Sequence, residues 1–223
     1  MLSEDTGTQG RGNLELELGS AWSRAEGVRA FLFQPQLSYG VSPALDLIVQ
    51  PSWLMNDGRG GQEARGFGDT NVDAKWRFQG AAPFSLGVRA GFALPTAQGD
   101  LGLPSGRISP HATLVATVDA TPFTLDANLG YARAPHDGGE RADLWHFSAA
   151  ALFATSARLS FVLDAGIDSN PDSTRTKYPA VALLGVIYTA FPGLDFDSGY
   201  RARLNSVAPS GQWLLGVTYR GAP

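Results

Sequence analysis

Apolar and polar residues alternate with a period of two along nearly the whole chain, the pattern of a strand with one face in an apolar phase and one face not. Leu14, Leu16 and Leu18 oppose Glu15 and Glu17. Val72, Ala74, Trp76 and Phe78 oppose Asp73, Lys75 and Arg77. Phe123, Leu125, Ala127, Leu129 and Tyr131 oppose Thr124, Asp126, Asn128 and Gly130. Leu159, Phe161, Leu163, Ala165 and Ile167 oppose Arg158, Ser160, Asp164 and Gly166, and Leu194, Phe196 and Tyr200 oppose Asp195, Asp197, Arg201 and Arg203. Twelve such segments are predicted, at 13–22, 28–39, 44–54, 69–79, 84–95, 108–119, 123–132, 143–154, 158–168, 179–189, 194–205 and 212–220. Most are close to the ~9–11 residues that carry a tilted strand across a bilayer.

The connections alternate in length. Gly40–Pro43, Gly80–Pro83, Ala120–Pro122, Thr155–Ala157 and Ala190–Gly193 are short, while Met55–Gly68, Thr96–Arg107, Arg133–Ala142, Ser169–Tyr178 and Ser206–Gly211 are longer and polar. Aromatic residues on the apolar faces gather at strand ends. Trp22, Phe31, Trp53, Phe92, Tyr131, Trp145 and Trp213 fall toward one rim, and Tyr39, Trp76, Phe78, Phe84, Phe123, Phe153, Tyr188, Phe196 and Tyr219 toward the other. Amphipathic rings settle at headgroup depth, so two girdles around an aliphatic band mark a membrane wall. A soluble sandwich would alternate as well, but would not sort its aromatics by height. The fold class expected is therefore all-β: a transmembrane antiparallel up-and-down β-barrel of about twelve strands. Residues 13–220 form this single barrel, preceded by a flexible polar lead-in at 1–12. Closure follows from hydrocarbon, where every backbone N–H and C=O must find a protein partner. Pro35, Pro51 and Pro110 lie within strands and each removes a ladder donor; Pro35 and Pro51, nearly opposite across the Gly40–Pro43 turn, are expected to mark a local bulge or rim feature.

Composition narrows the function classes. Charged residues are 17% of the chain, well below the ~25% of an average globular domain. No apolar run approaches the ~18 residues of a helical span. With no Cys, thiolate metal sites, iron–sulfur clusters and cysteine nucleophiles are excluded. A net charge of −4 without a basic block argues against nucleic acid. His111, His136 and His146 lack metal-ligand spacing, and neither a metal nor another cofactor is expected. Gly58, Gly60 and Gly61 do not form a phosphate loop. The first dozen residues lack the apolar core of a signal peptide, so an exported protein would have lost its leader already.

The inward face carries the candidate chemistry. Glu15, Glu17, Asp73, Asp126, Asp164, Asp195 and Asp197 are balanced by Lys75, Arg77, Arg89, Arg158, Arg201 and Arg203, with Asp46 and Arg220 on the same face. Such a lining braces a lumen through ion pairs and also forms a mixed-charge conduit. Asp195, Asp197, Arg201 and Arg203 are the candidate constriction, adjoining Glu15 and Glu17 if the barrel closes. Met55–Gly68 and Thr96–Arg107 are long enough to fold inward as gates. His146 and Ser148, two residues apart, share a face and could make a nucleophile–base pair, but Trp145 and Phe147 take the lipid face and turn the pair inward. A lipid hydrolase using them, and a plugged structural barrel, are the alternatives to a channel; an enzyme is not the expectation.

Short motifs resemble a family of bacterial outer-membrane barrels linked to the MetA pathway of phenol degradation. Gly66-Phe67-Gly68-Asp69-Thr70 with the following Asp73–Phe78 is similar to its G-x-G-D segment, and Leu94-Pro95-Thr96 with Gly99-Asp100 to its L-P-T-G-x-G-D segment. Tyr39–Ser42 with Leu45–Leu47, and Thr218-Tyr219-Arg220, resemble its Y-G turn and its closing strand, with Gly221 where Phe is usual. The resemblance implies an outer-membrane transporter for small solutes, aromatic or hydrophobic compounds among them. Membrane lipid, lipopolysaccharide and the barrel insertion machinery would then be its partners.

Overall fold

The computed structural model describes residues 2–25, 28–57, 63–97, 106–134, 140–209 and 211–221. Fourteen strand elements make a single sheet: β1 Leu14–Ala25, β2 Val28–Ser42, β3 Leu45–Gln50, β4 Trp53–Asp57, β5 Glu63–Phe67, β6 Thr70–Ala81, β7 Phe84–Leu94, β8 Ser109–Ala120, β9 Phe123–Arg133, β10 Asp143–Ala154, β11 Leu159–Asp168, β12 Ala180–Phe191, β13 Leu194–Arg203 and β14 Gln212–Gly221. Each pairs antiparallel with its neighbours, and β1 pairs with both β2 and β14, which closes the sheet on itself. The closing seam runs from Leu14 opposite Gly221 to Ser23 opposite Gln212.

The barrel has twelve staves, because two of them are interrupted. β3 and β4 are one strand broken at Pro51–Ser52, and both lie against β2. β5 and β6 are one strand broken opposite, at Gly68–Asp69. Pro51 supplies no ladder donor, and the break puts it where none is needed. Gly68 N donates to Ser52 O at 2.9 Å and Ser52 Oγ to Asp69 O at 3.1 Å, pinning the two breaks together. A side chain at Gly68 would collide with Ser52 Oγ and Leu54 Cδ1, which explains the glycine. Pro35 and Pro110 stay within regular pairing, opposite Leu18 and Phe92. The expected Met55–Gly68 gate is thus corrected in part. Its residues 55–57 and 63–67 continue as the paired strands β4 and β5 instead of folding inward, and Gly58–Gln62 lie outside the described residues.

The faces sort as the alternation requires. Leu47, Leu125, Leu163, Leu184 and Leu215 point outward and are 45–65% exposed to the surroundings of the isolated chain. A soluble protein does not tolerate such a belt, whereas acyl chains cover it. Aromatic contacts stitch both rims: Trp22–Phe31 and Phe31–Trp53 at 5.2 and 6.0 Å, Tyr131–Trp145 at 4.8 Å and Tyr200–Trp213 at 4.9 Å on one, Trp76–Phe78 at 5.6 Å and Phe123–Phe153 at 5.0 Å on the other. The buried positions are the inward ones, and many are polar: Asp46, Asp73, Lys75, Asp126, Asn128, Ser148 and Asp164.

Candidate functional site in the barrel lumen

Residues 2–12, expected as a flexible lead-in, run inside the barrel. From Gly12 the backbone meets β2, with Gly12 N donating to Gly40 O at 2.7 Å. A Cβ on Gly40 would overlap the Gly10 carbonyl, so this close crossing requires glycine. Gln9 N donates to both oxygens of Asp46 on β3, at 3.2 and 3.0 Å. Thr6 N donates to Thr117 Oγ1 on β8 at 3.0 Å, and the Thr117 hydroxyl donates onward to Asp126 at 2.6 Å. Asn128 on β9 clasps the Glu4 peptide from both ends: Glu4 N donates to its Oδ1 at 2.6 Å and its Nδ2 donates to Glu4 O at 2.8 Å. Beyond it, the Leu2 and Ser3 amides donate to Asp164 Oδ2 on β11 at 2.5 and 3.0 Å, and the Ser3 hydroxyl to Oδ1 at 2.8 Å. Ser3 and Thr6 are buried. The segment therefore crosses the wall from β2 to β11 and occupies that side of the lumen.

One ion-pair cluster anchors it. The Glu4 carboxylate accepts from Lys75 Nζ at 2.9 Å and from Arg89 at 2.8 Å. Lys75 reaches Asp5 at 3.3 Å, and Arg89 also reaches Asp73 at 2.7 Å. His111 Nε2 contacts the other Asp73 oxygen at 2.7 Å. These are charges removed from bulk water, so each depends on the others for compensation.

The opposite wall, β12 to β14 and β1, differs. Gly19, Gly185, Gly199 and Gly216 all face inward and remain part-exposed. Gly19 pairs with Gly216, and Gly185 with Gly199. Asp197 lies over Gly216. At the rim below, Arg220 bridges Glu15 at 2.6 Å and Asp195 at 2.5 Å, and Asp195 also accepts from the Thr189 hydroxyl at 2.6 Å. Glu17 accepts from Gln36 at 2.6 Å, and Arg201 donates to Gln212 at 3.0 Å. The segment reaches this side at the rim, where Gln9 Nε2 donates to Glu15 Oε1 on β1 at 2.7 Å.

The structure brings only part of the sequence-derived site together. Glu15 and Asp195 meet, through Arg220. Asp73, Lys75 and Arg89 form the anchor, while Asp126 and Asp164 hold the segment. Arg158 is not on the lumen wall: it is exposed in the turn between β10 and β11, one residue short of the strand. Arg203 is exposed at the end of β13, and Arg77 caps the Pro43 carbonyl at 2.9 Å near the rim. Asp195, Asp197, Arg201 and Arg203 are thus spread along β13, from Asp195 at the Arg220 bridge to the exposed Arg203 at the other end. The residues missed by sequence reasoning were Ser3, Glu4, Thr6 and Gln9, whose only signal was polarity. Family-motif residues prove architectural: Gly66 pairs with Leu54, Asp69 Oδ1 accepts from Ala97 N at 3.1 Å, and Thr96 beside Pro95 donates to Gly68 O at 3.0 Å. Gly99 and Asp100, like His136, lie outside the described residues, as does 98–105 of the expected Thr96–Arg107 gate. His146 and Ser148 do face the lumen, away from lipid, with Trp145 and Phe147 more than half exposed outside. On the outer side, the Asp172 carboxyl is held below its ordinary range by the hydroxyl and amide of Thr174, with Arg175 adding to the effect.

A closed twelve-strand antiparallel barrel with an apolar belt outside and a polar lumen is the architecture of porin-like outer-membrane channels. The model of the family described as putative MetA-pathway of phenol degradation matches residues 8–221, and the chain belongs to that family. Among solved structures it resembles the COG4313 outer membrane channel from Pseudomonas putida F1, at 12% identity and TM-score 0.73, covering 97% of this chain and 98% of that one. It also resembles the NanC porin, at 11% identity and TM-score 0.60, with 92% and 98% covered, and the KdgM porin, at 11% and 0.61, again with 92% and 98%. These likenesses carry the fold; all three proteins are channels or porins by description, not enzymes. A search of curated protein sequences gave no match.

Proposed function

We propose that the protein is a passive outer-membrane channel for small solutes, aromatic or hydrophobic compounds among them, with passage along the glycine-lined side of the lumen. The observation that carries this reading is the asymmetry of the bore. The N-terminal segment takes up the side from β2 to β11, and four part-exposed glycines line the other. Twelve strands enclose a lumen between the packed interior of eight-stranded barrels and the aqueous pore of sixteen. With a peptide inside, what remains is narrow and lined by backbone, Leu214 and a few charges. Lipid and lipopolysaccharide contact the outer belt, and the insertion machinery assembles it.

Planar-bilayer recording with liposome swelling tests the reading. Small discrete conductance steps and uptake of small solutes are expected. Because the segment buries its own Ser3 and Thr6 against the wall, a fully plugged structural barrel is the second reading. Silence from both the parent chain and a Glu4→Ala variant would establish that reading and discard the channel. Lipid hydrolysis finds no support, since His146 and Ser148 are turned away from the acyl chains.

A further inference from the structure

The structure assigns a covert nucleophile to the lumen wall: we infer that Ser148, His146 and Asp168 form an acyl-transfer triad, covered by residues 2–4, that acts on small carboxylic esters. The geometry is that of a relay. Asp168 Oδ1 lies 2.6 Å from His146 Nδ1, and His146 Nε2 lies 3.0 Å from Ser148 Oγ. The carboxylate thus fixes the tautomer that leaves Nε2 as the acceptor facing the hydroxyl. Strand geometry builds it: His146 and Ser148 share the inward face of β10, and Asp168 is the direct partner of His146 on β11. The two positions that flank the imidazole are glycine. A Cβ at Gly130 would come within 3.3 Å of His146 Cβ, and one at Gly166 within 3.4 Å of Cε1 and 3.3 Å of Ser148 Cβ. A side chain on either strand would crowd the ring.

Ser148 is fully buried, and what crosses over it is the segment. Asn128, its cross-strand partner on β9, holds Glu4, and Asp164, two residues from its β11 partner Gly166, holds Leu2 and Ser3. The peptide between those anchors passes over β10 at the height of Ser148. Asn128 Nδ2 already grips a carbonyl there, that of Glu4. When the segment leaves, the same amide can take an ester carbonyl beside Ser148 Oγ, as an oxyanion donor must. Arg201, which faces the Asp164–Asp168 stretch from β13, has a buried Nε with no hydrogen-bond partner among the described residues.

The chemistry balances with these groups and water. Ser148 Oγ bonds to the ester carbonyl carbon as its proton passes to His146 Nε2. The carbon–oxygen bond to the alcohol then breaks, and the alcohol leaves with that proton. Water attacks the acyl-serine, giving its proton to His146, and the carboxylic acid departs as the proton returns to Oγ. The lumen position restricts substrates to small, non-lipid esters.

The test uses the full chain folded in detergent, with p-nitrophenyl acetate and a small fluorophosphonate as probes. Adducts are located by mass spectrometry, and folding is checked by heat-modifiable gel mobility. A slow acylation of Ser148 is expected in the parent. It should rise at least about tenfold in Glu4→Ala, which loosens the cover, fall below detection in Ser148→Ala, and drop at least about a hundredfold in His146→Gln. Asp168→Asn should show a smaller loss. Absence of a Ser148 adduct from both the parent and a folded Glu4→Ala variant overturns the proposal. So does an adduct that forms as fast in folded His146→Gln as in the parent, because that serine would not be activated.

Discussion

The two sides of the lumen use the same strand alternation to opposite ends. From β2 to β11 the inward positions include Asp, Lys, Arg, Asn and Thr beside the apolar Ile48, Val115 and Val162, and a peptide from the same chain meets much of their hydrogen-bonding capacity. From β12 to β1 the inward positions at mid-depth are glycines interspersed with Asp197, Leu183 and Leu214, and the segment's hydrogen bonds among the described residues do not reach them. A charged wall in a narrow bore has to be satisfied, because an uncompensated charge removed from water costs more than its pairing returns. A bare backbone wall makes no such demand. On the channel reading proposed above, the contrast is how one barrel carries a plug and still keeps a path.

The contrast can be broken most forcibly at Asp73. Removing it in Asp73→Ala strips Arg89 of one partner and His111 of its carboxylate partner, and a broken buried pair costs about 3–5 kcal/mol. Urea unfolding in detergent should show that loss, whereas a shift under 1 kcal/mol would mean that water already screens this wall. On the other side, Gly19→Trp fills the glycine face at a position where a Cβ meets only the Gln34 carbonyl at 3.5 Å. Single-channel conductance should fall about tenfold or more with folding intact. Unchanged conductance would move the path elsewhere.

Glu4→Ala acts on the segment itself, removing its contacts with Lys75 and Arg89. Conductance should rise severalfold and become noisier, as a loosened peptide samples the lumen. If instead it stays constant, the segment is not what narrows the bore. The mildest change is Arg220→Gln, at a half-exposed bridge between Glu15 and Asp195. Stability should move by no more than about 1 kcal/mol. Ion selectivity should shift toward cations, since two carboxylates lose their counter-charge at the rim, and a reversal potential measured in a salt gradient reads that shift.

Much of this was legible along the chain. The period of two, the rhythm of short and long connections and the aromatic rims specify a closed membrane barrel, because hydrocarbon permits few other arrangements of strands. Even segments with a thin polar face, such as 108–119, form as expected: the inward Val115 and Thr117 pack against the segment's side of the lumen, while Leu114 faces out. Arg158 was misplaced because alternation extrapolated past the strand end puts a turn residue on a face. Asp168 escaped notice because its link to His146 depends on register across two strands, not on spacing within one.

The sequence by itself determined the wall: which side chains meet lipid and which meet the lumen, since that follows from local alternation and one external solvent. Only the tertiary structure decided what fills the lumen. Leu2–Gly12 carries no periodic signal, and its partners Asp46, Asn128 and Asp164 are distant along the chain. They converge because closing the barrel gathers buried polar groups around one bore, and the peptide that satisfies them is Leu2–Gly12.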